Sequence, residues 1–177
     1  MNNTEIGTAI DKWIKHFDCD VFATLVFNRN MHKHNAVKSI KRYLNLLDIK
    51  VMQRKAVRKG KRIERFAVLQ SGKSKDNWHC HILFNSKSTV ATADELKQLA
   101  EIYWQTRVRH AKRYDRKFEM NGTFELIKRQ RDFEIIENKK AVKRYLLSEV
   151  KRYGSLTILP KLIHFTKETK QRLNEAQ

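Results

Sequence analysis

The chain has 177 residues, 41% of them hydrophobic and 10% aromatic, which is enough to build the core of one domain. Thirty-eight Lys and Arg against 19 Asp and Glu leave a net charge of +19, which favours DNA or RNA as a partner. No apolar run has transmembrane length, no signal peptide is evident, and Cys19 and Cys80 form no Cys-x-x-Cys pair. We therefore expect a cytoplasmic protein with no membrane partner.

The first part of the chain changes from helical to strand periodicity. Apolar residues at helical spacing predict a helix over 4–17. The continuous β-prone run 21–27 is typical of a central strand that is covered on both faces. A long basic helix is predicted over 35–58, and Gly60 ends it.

The middle of the chain contains a predicted hairpin. Strand 63–70 places Phe66, Val68 and Gln70 on one face. The polar loop 71–77 connects it to strand 78–84, so we expect the two strands to be antiparallel.

The rest of the chain is predicted to be mainly helical. Helices are expected over 92–113, capped by Thr92 or Asp94, and over 139–153 and 166–175. A strand is expected at 123–129, with a possible partner at 116–120.

This order of elements predicts an α+β sandwich, a mostly antiparallel sheet with helices packed against it. We expect a single domain over 1–177, in which 155–177 is a basic helical extension. Gly72-Lys73-Ser74 resembles the end of a phosphate-binding P-loop, but Ala67 replaces the first glycine and a strand follows. We therefore predict no ATPase or helicase domain.

His79 and His81 are the strongest indication of chemistry. Side chains alternate along a strand, so the two rings project from the same face and can bind one cation. In the hairpin Gln70 would lie beside one of them as a third ligand, and Asp76 in the loop is the alternative. A neutral amide oxygen with two imidazoles suits Mg²⁺ or Mn²⁺ better than tetrahedral zinc.

Tyr145 is the candidate nucleophile on the predicted helix 139–153. At 100° per residue, the inner stripe of that helix consists of Val142, Leu146, Val150 and Tyr153. Tyr145 lies off this stripe, so its hydroxyl can project towards a bound cation.

Three segments together resemble the HUH endonucleases, specifically the rolling-circle replication initiators of phages and plasmids. They are strand 22–27 (FATLVF), the His-hydrophobe-His strand 78–84 (WHCHILF) and helix segment 141–147 (AVKRYLL). Gln70 falls where that family commonly places a polar third metal ligand, usually Glu. The resemblance covers about residues 10–155, most of the chain.

The resemblance implies a ferredoxin-like or RRM-like sandwich of four or five strands, with the His-x-His motif on a central strand. It also implies a metal-dependent nickase and strand transferase that starts rolling-circle DNA replication. Tyr145 would form a 5′-phosphotyrosine link, and His79, His81 and Gln70 would hold the metal. The implied partners are a single-stranded DNA origin or DNA hairpin, together with a host helicase and polymerase.

Two positions depart from the family pattern. Ser148 stands where many members of that family have lysine, so the charge is either supplied by Lys151 or Arg152 or is absent. Glu149 stands where two-tyrosine relatives have their second nucleophile, so the chain resembles the single-tyrosine class.

We expect a set of basic residues to contact DNA phosphates: Arg29, Lys73, Lys75, Arg144, Lys151 and Arg152. One alternative is a non-catalytic DNA- or RNA-binding module in which the histidines are structural. Another is an HUH transposase or relaxase, although no tyrosine precedes Tyr43, which argues against a relaxase.

Overall fold

A computed structural model describes residues 16–71, 77–111, 132–153 and 156–175, together with Thr8 and Asp11. Its sheet has five strands in the order β4-β1-β3-β2-β5, and every neighbouring pair is antiparallel. The strands are β1 (Val21–Val26), β2 (Glu64–Ser71), β3 (Trp78–Asn85), β4 (Phe133–Ile135) and β5 (Leu156–Ile158).

The helices within the described residues are α1 (Lys33–Met52), α2 (Arg54–Arg58), α3 (Ala93–Arg107), α4 (Lys139–Tyr153) and α5 (Lys167–Glu175). Short 3-10 turns occupy Ser86–Ser88 and Pro160–Leu162. In the part of the chain that the structure covers, none of these helices has the length and apolar character needed to cross a bilayer.

The predicted helix over 35–58 is divided in the structure. Gln53 has φ 67° and separates α1 from α2, and Gly60 follows with φ 84°. Helical periodicity continues through this point, so the sequence pattern does not reveal the break. The start of α3 follows the prediction, because Thr92 and Glu95 form a reciprocal capping box.

The predicted α+β class with an antiparallel sheet is confirmed. The chain passes through β1, α1, β2, β3, α3 and β4, and these four strands lie in the order β4-β1-β3-β2. This topology is compatible with the ferredoxin-like class. Strand β3 is in the middle of the sheet and carries His79 and His81.

The two faces of the sheet belong to different cores. One face packs against α1 and α3 through apolar residues that include Ala23, Leu25, Cys80, Ile82 and Phe84. The other face is covered by Leu146 of α4 and by Phe17 and Phe165, over Phe22, Phe66, Val68 and Leu83. Covering on both faces explains why the β-prone run 21–27 is apolar at every position except Thr24.

Two edge strands, β4 and β5, were not predicted. Each has three residues, which is too short for the period-2 pattern to be recognised. The strands predicted at 116–120 and 123–129, and most of the helix predicted over 4–17, lie outside the described residues.

The segment predicted as a helical extension also contributes to the sheet. Strand β5 pairs with β2, and His164 forms a bridge with Arg65. The Glu64 carboxylate accepts hydrogen bonds from the backbone N–H of Thr166 at 2.6 Å and from Asn85 Nδ2 at 2.7 Å. These bonds hold the start of α5 against β2.

A buried ion pair connects α1 to β2. The Asp48 carboxylate is inaccessible to solvent and accepts hydrogen bonds from Arg65 Nη1 at 2.6 Å and Nη2 at 3.0 Å. It also accepts one from the backbone N–H of Ile63 at 3.1 Å. Arg65 Nε in turn donates to the Leu162 carbonyl, so the pair connects the helix layer, the sheet and the C-terminal segment.

We predict that Asp48→Asn lowers the free energy of unfolding by about 3 kcal/mol, because it leaves the Arg65 charge buried without a counterion. Urea unfolding measures this change. The matched control is Glu137→Gln, which removes a carboxylate from an exposed position. A loss no larger than that of the control would show that the pair does not anchor α1.

Candidate functional site

The register of β3 determines which side chains surround the two histidines. His79 lies opposite Val26 of β1 and Gln70 of β2. His81 lies opposite Thr24 and Val68 in the same two strands. The predicted antiparallel hairpin is therefore present, with Gln70 directly beside His79.

His81 connects three strands through its two ring nitrogens. Its side chain is 2% exposed, with Nδ1 at 3.1 Å from Thr24 Oγ1 and Nε2 at 3.0 Å from Gln70 Oε1. An amide oxygen only accepts, so Nε2–H donates to Gln70, and Nδ1 accepts from the Thr24 hydroxyl. Both nitrogens of this buried ring are therefore satisfied.

The buried position keeps His81 neutral at physiological pH. Burial, with a smaller contribution from the charge of His79, lowers the pKa of His81 to about 3. An imidazole binds a metal ion only when it is not protonated, so this environment favours the ligand form of the ring.

Two of the predicted ligands already contact each other. The separation of His81 Nε2 and Gln70 Oε1 is 3.0 Å, and His79 lies directly across from Gln70. Binding of a cation at Nε2 would require the ring proton to move to Nδ1, where Thr24 Oγ1 can accept it.

The structure describes three of the four predicted metal ligands, and these three differ in how deeply they are buried. Gln70 is fully buried, His81 nearly so and His79 half-buried. Asp76, the alternative third ligand, lies outside the described residues. Within the described ranges no three His, Cys, Asp or Glu side chains are grouped to hold an ion.

Tyr145 packs on the same face of the sheet as His81. The two rings meet edge to face, with centroids 5.5 Å apart and an interplanar angle of 88°. Phe22 stacks on His81 at 5.8 Å and meets Tyr145 at 5.9 Å, so the three rings form one cluster. Tyr145 remains 40% exposed, which leaves it accessible to a substrate.

Helix α4 is fixed at its beginning and on its inner face. Asn138 Oδ1 accepts a hydrogen bond from the backbone N–H of Ala141 at 3.2 Å, which caps the helix. The Asp18 carboxylate pairs with Lys139 at 3.0 Å and with Lys87 at 3.2 Å. A hydrogen bond from Lys139 is the main reason that the pKa of Asp18 is lowered. Leu146 is fully buried one residue after Tyr145.

The predicted DNA-binding residues are only partly described. Arg29 is exposed just after β1, and Arg144 is exposed next to Tyr145. Lys73 and Lys75 lie outside the described residues, as do the side chains of Lys151 and Arg152.

Ser148, three residues after Tyr145, is hydrogen-bonded within its own helix. Its hydroxyl donates to the Tyr145 carbonyl at 2.7 Å. The exposed Ser148 side chain therefore contributes no charge beside the tyrosine.

Sequence reasoning assigned no role to Thr24 or Phe22, although both contact His81. Thr24 had a recognisable signal, because it is the one polar residue in the run 21–27. A lone hydroxyl in a strand covered on both faces needs a buried partner.

Comparisons with protein-family models, with curated proteins and with solved structures give no match to this chain. The residues and their geometry therefore carry the functional argument.

We predict that Thr24→Val lowers the free energy of unfolding by about 1 to 2 kcal/mol, because it leaves His81 Nδ1 buried without a donor. Chemical denaturation measures the loss, and ¹⁵N chemical shifts of the imidazole report which nitrogen carries the proton. Thr106→Val is the matched control on an exposed helix position. Equal stability of the two variants would contradict the assigned hydrogen bond.

Proposed function

We propose that this protein is a metal-dependent single-stranded DNA endonuclease and strand transferase of the HUH type, with Tyr145 as nucleophile. The observation that carries the proposal is the edge-to-face contact between Tyr145 and His81 at 5.5 Å. Tyr145 and His81 are 64 positions apart in the chain, and the fold brings the phenol beside this histidine. That combination suits attack on a phosphodiester.

His79, His81 and Gln70 would hold Mg²⁺ or Mn²⁺. The position of Gln70 directly across from His79 and its contact with His81 support this assignment. When bound, the cation polarises the scissile phosphate and offsets its negative charge. Thr24 Oγ1 would orient the His81 ring by accepting a hydrogen bond from Nδ1–H. The second ring nitrogen of a metal-binding histidine commonly has such a hydrogen-bond partner.

The proposed reaction is a transesterification at phosphorus. Tyr145 Oη forms a bond to phosphorus, the bond from phosphorus to the 3′ oxygen breaks, and the phenol proton is released to solvent. The 3′ oxygen leaves and acquires a proton as a 3′-hydroxyl. The 5′-phosphotyrosine link keeps the energy of the phosphodiester, so a 3′-hydroxyl can later displace Tyr145 without ATP.

The charge of the protein supports a nucleic-acid substrate. The net charge of +19 attracts the phosphate backbone, and Arg144 and Arg29 are exposed next to Tyr145 and after β1. A single strand leaves the backbone free to adopt the geometry of in-line attack. We infer a single-stranded origin or DNA hairpin as substrate, rolling-circle replication as the process, and a host helicase and polymerase as partners. A ferredoxin-like sandwich is the proposed fold family.

We predict that Tyr145→Phe abolishes covalent attachment to single-stranded DNA while binding changes by less than about twofold, since only the hydroxyl is lost. The experiment incubates the protein with a pool of random-sequence oligonucleotides and Mn²⁺, followed by a denaturing gel and mass mapping of the modified tyrosine. Filter binding measures the affinity.

The matched control is Tyr103→Phe on α3, which packs against the opposite face of the sheet. An adduct of unchanged yield in Tyr145→Phe would refute the assignment of the nucleophile. Binding without an adduct in the wild-type protein would favour the non-catalytic DNA-binding module.

We predict that EDTA abolishes cleavage and that excess Mn²⁺ or Mg²⁺ restores it, because phosphate activation requires the cation. His79→Gln and Gln70→Leu should each raise the metal concentration needed for half-maximal cleavage by about tenfold or more. His110→Gln, a half-buried histidine outside the candidate site, is the control. Full activity in chelator would exclude the metal-dependent mechanism.

A further inference from the structure

A groove lies between α1 and α3 on the opposite side of the sheet from Tyr145. Its cavity volume is about 410 Å³, and its lining residues are Arg42, Leu46, Ile49 and Lys50 of α1 with Tyr103 and Arg107 of α3. Leu46 lies four residues after Arg42, and Ile49 and Lys50 lie three and four residues after Leu46, so the four form one stripe along the helix. This stripe is distinct from the buried face of α1, which includes Ile40, Tyr43, Leu44 and Leu47.

The groove is separate from the candidate active site. Helices α1 and α3 pack on the face of the sheet that contains Leu25 and Ile82, whereas His81 and Tyr145 lie on the other face. A ligand in the groove is therefore separated from Tyr145 by the sheet and a helix layer. Binding of a ligand in this groove does not depend on the proposed nuclease activity.

The groove combines an apolar centre with positive charge. Leu46 and Ile49 are half-buried there, while Arg42, Lys50 and Arg107 are exposed. No acidic residue lines the groove among the parts of the chain that the structure describes. The complementary ligand therefore has apolar side chains flanked by carboxylates or phosphates.

Two features favour a peptide over a nucleic acid. The Arg107 guanidinium lies 5.9 Å from the centre of the Tyr103 ring, so one face of this ring is already occupied by a cation and is less available for stacking a nucleobase. Phosphates also gain nothing from Leu46 and Ile49, whereas leucine or phenylalanine side chains bury apolar area against them.

We propose that the groove between α1 and α3 binds an acidic amphipathic helix of a partner protein. From Arg42 to Lys50 the stripe is about 12 Å long, which matches two turns of a docked helix. Apolar residues spaced three or four apart on that helix would contact Leu46 and Ile49. Its Asp and Glu residues would pair with Arg42, Lys50 and Arg107.

A synthetic peptide pair tests this inference on the full chain. The probe is a fluorescein-labelled helical peptide with Leu on one face and Glu on the other, and the comparison peptide has Ser in place of Leu with the same charge. Fluorescence anisotropy should give a dissociation constant about tenfold lower for the leucine peptide, which corresponds to about 1.4 kcal/mol. Equal affinity for the two peptides would overturn the proposal.

Two neighbouring charge reversals test the location. Arg42→Glu should weaken binding of the leucine peptide by about tenfold, whereas Lys41→Glu, exposed on the same helix outside the groove, should weaken it by less than about twofold. Equal losses would show that only net charge matters. Displacement of the peptide by duplex DNA from wild type but not from Arg42→Glu would assign the groove to nucleic acid instead.

Photo-crosslinking of the wild-type protein tests the location without a variant that could fail to fold. A photoreactive residue at the centre of the leucine face should crosslink to α1 and α3, and mass mapping locates the products. Crosslinks confined to other segments would overturn the proposal. DNA cleavage by the wild type, Arg42→Glu and Lys41→Glu is measured in parallel. Absence of cleavage in all three proteins would contradict the proposed nuclease activity, whereas loss of peptide binding alone concerns only the groove.

Discussion

The hydrogen-bonded His81 side chain is the constraint on which the arrangement of this molecule depends. Its ring is nearly inaccessible to water and joins β1, β3 and β2 through Thr24 and Gln70. Burying these polar groups is costly unless each finds a partner, and the pairing exists in one register only. A shift of β3 by one residue would move His81 into the core occupied by Cys80 and Ile82. The hydrogen bonds of His81 to Thr24 and Gln70 therefore favour one register of the central strand, and they determine which face of the sheet carries the polar side chains.

The difference between the two faces then determines where the helices pack. The face containing Leu25 and Ile82 is apolar and is covered by α1 and α3. The face containing His81 is covered by α4, which contributes Leu146 to the core and Tyr145 to the ring cluster. Because Leu146 is fixed in the core, the preceding residue is held at the border between the core and solvent. The tyrosine is consequently both positioned and accessible, which the proposed role as nucleophile requires.

The parts of this arrangement that follow from local alternation could be predicted from the sequence. The face shared by His79 and His81, the hairpin with Gln70 and the extent of α4 depend on periods of 2 and 3.6 residues, which the sequence displays. The break at Gln53 and the strands β4 and β5 depend on tertiary contacts, so no local pattern reveals them. The contact of Thr24 with His81 spans 57 positions and requires knowledge of the strand register. Similarly, the contact between Tyr145 and His81 could not be predicted without knowledge of the fold.

The presence of glutamine instead of glutamate at position 70 has an electrostatic consequence for the proposed site. A carboxylate at this fully buried position would need a compensating cation, whereas the amide is neutral and its Oε1 accepts a hydrogen bond from His81 Nε2. In the proposed site, two imidazoles and an amide would leave the charge of a divalent cation uncompensated by these three ligands. The phosphate of a DNA strand would then neutralise that charge, and metal and DNA would bind cooperatively. Such coupling would restrict cleavage competence to the complex in which the strand is already in place beside Tyr145.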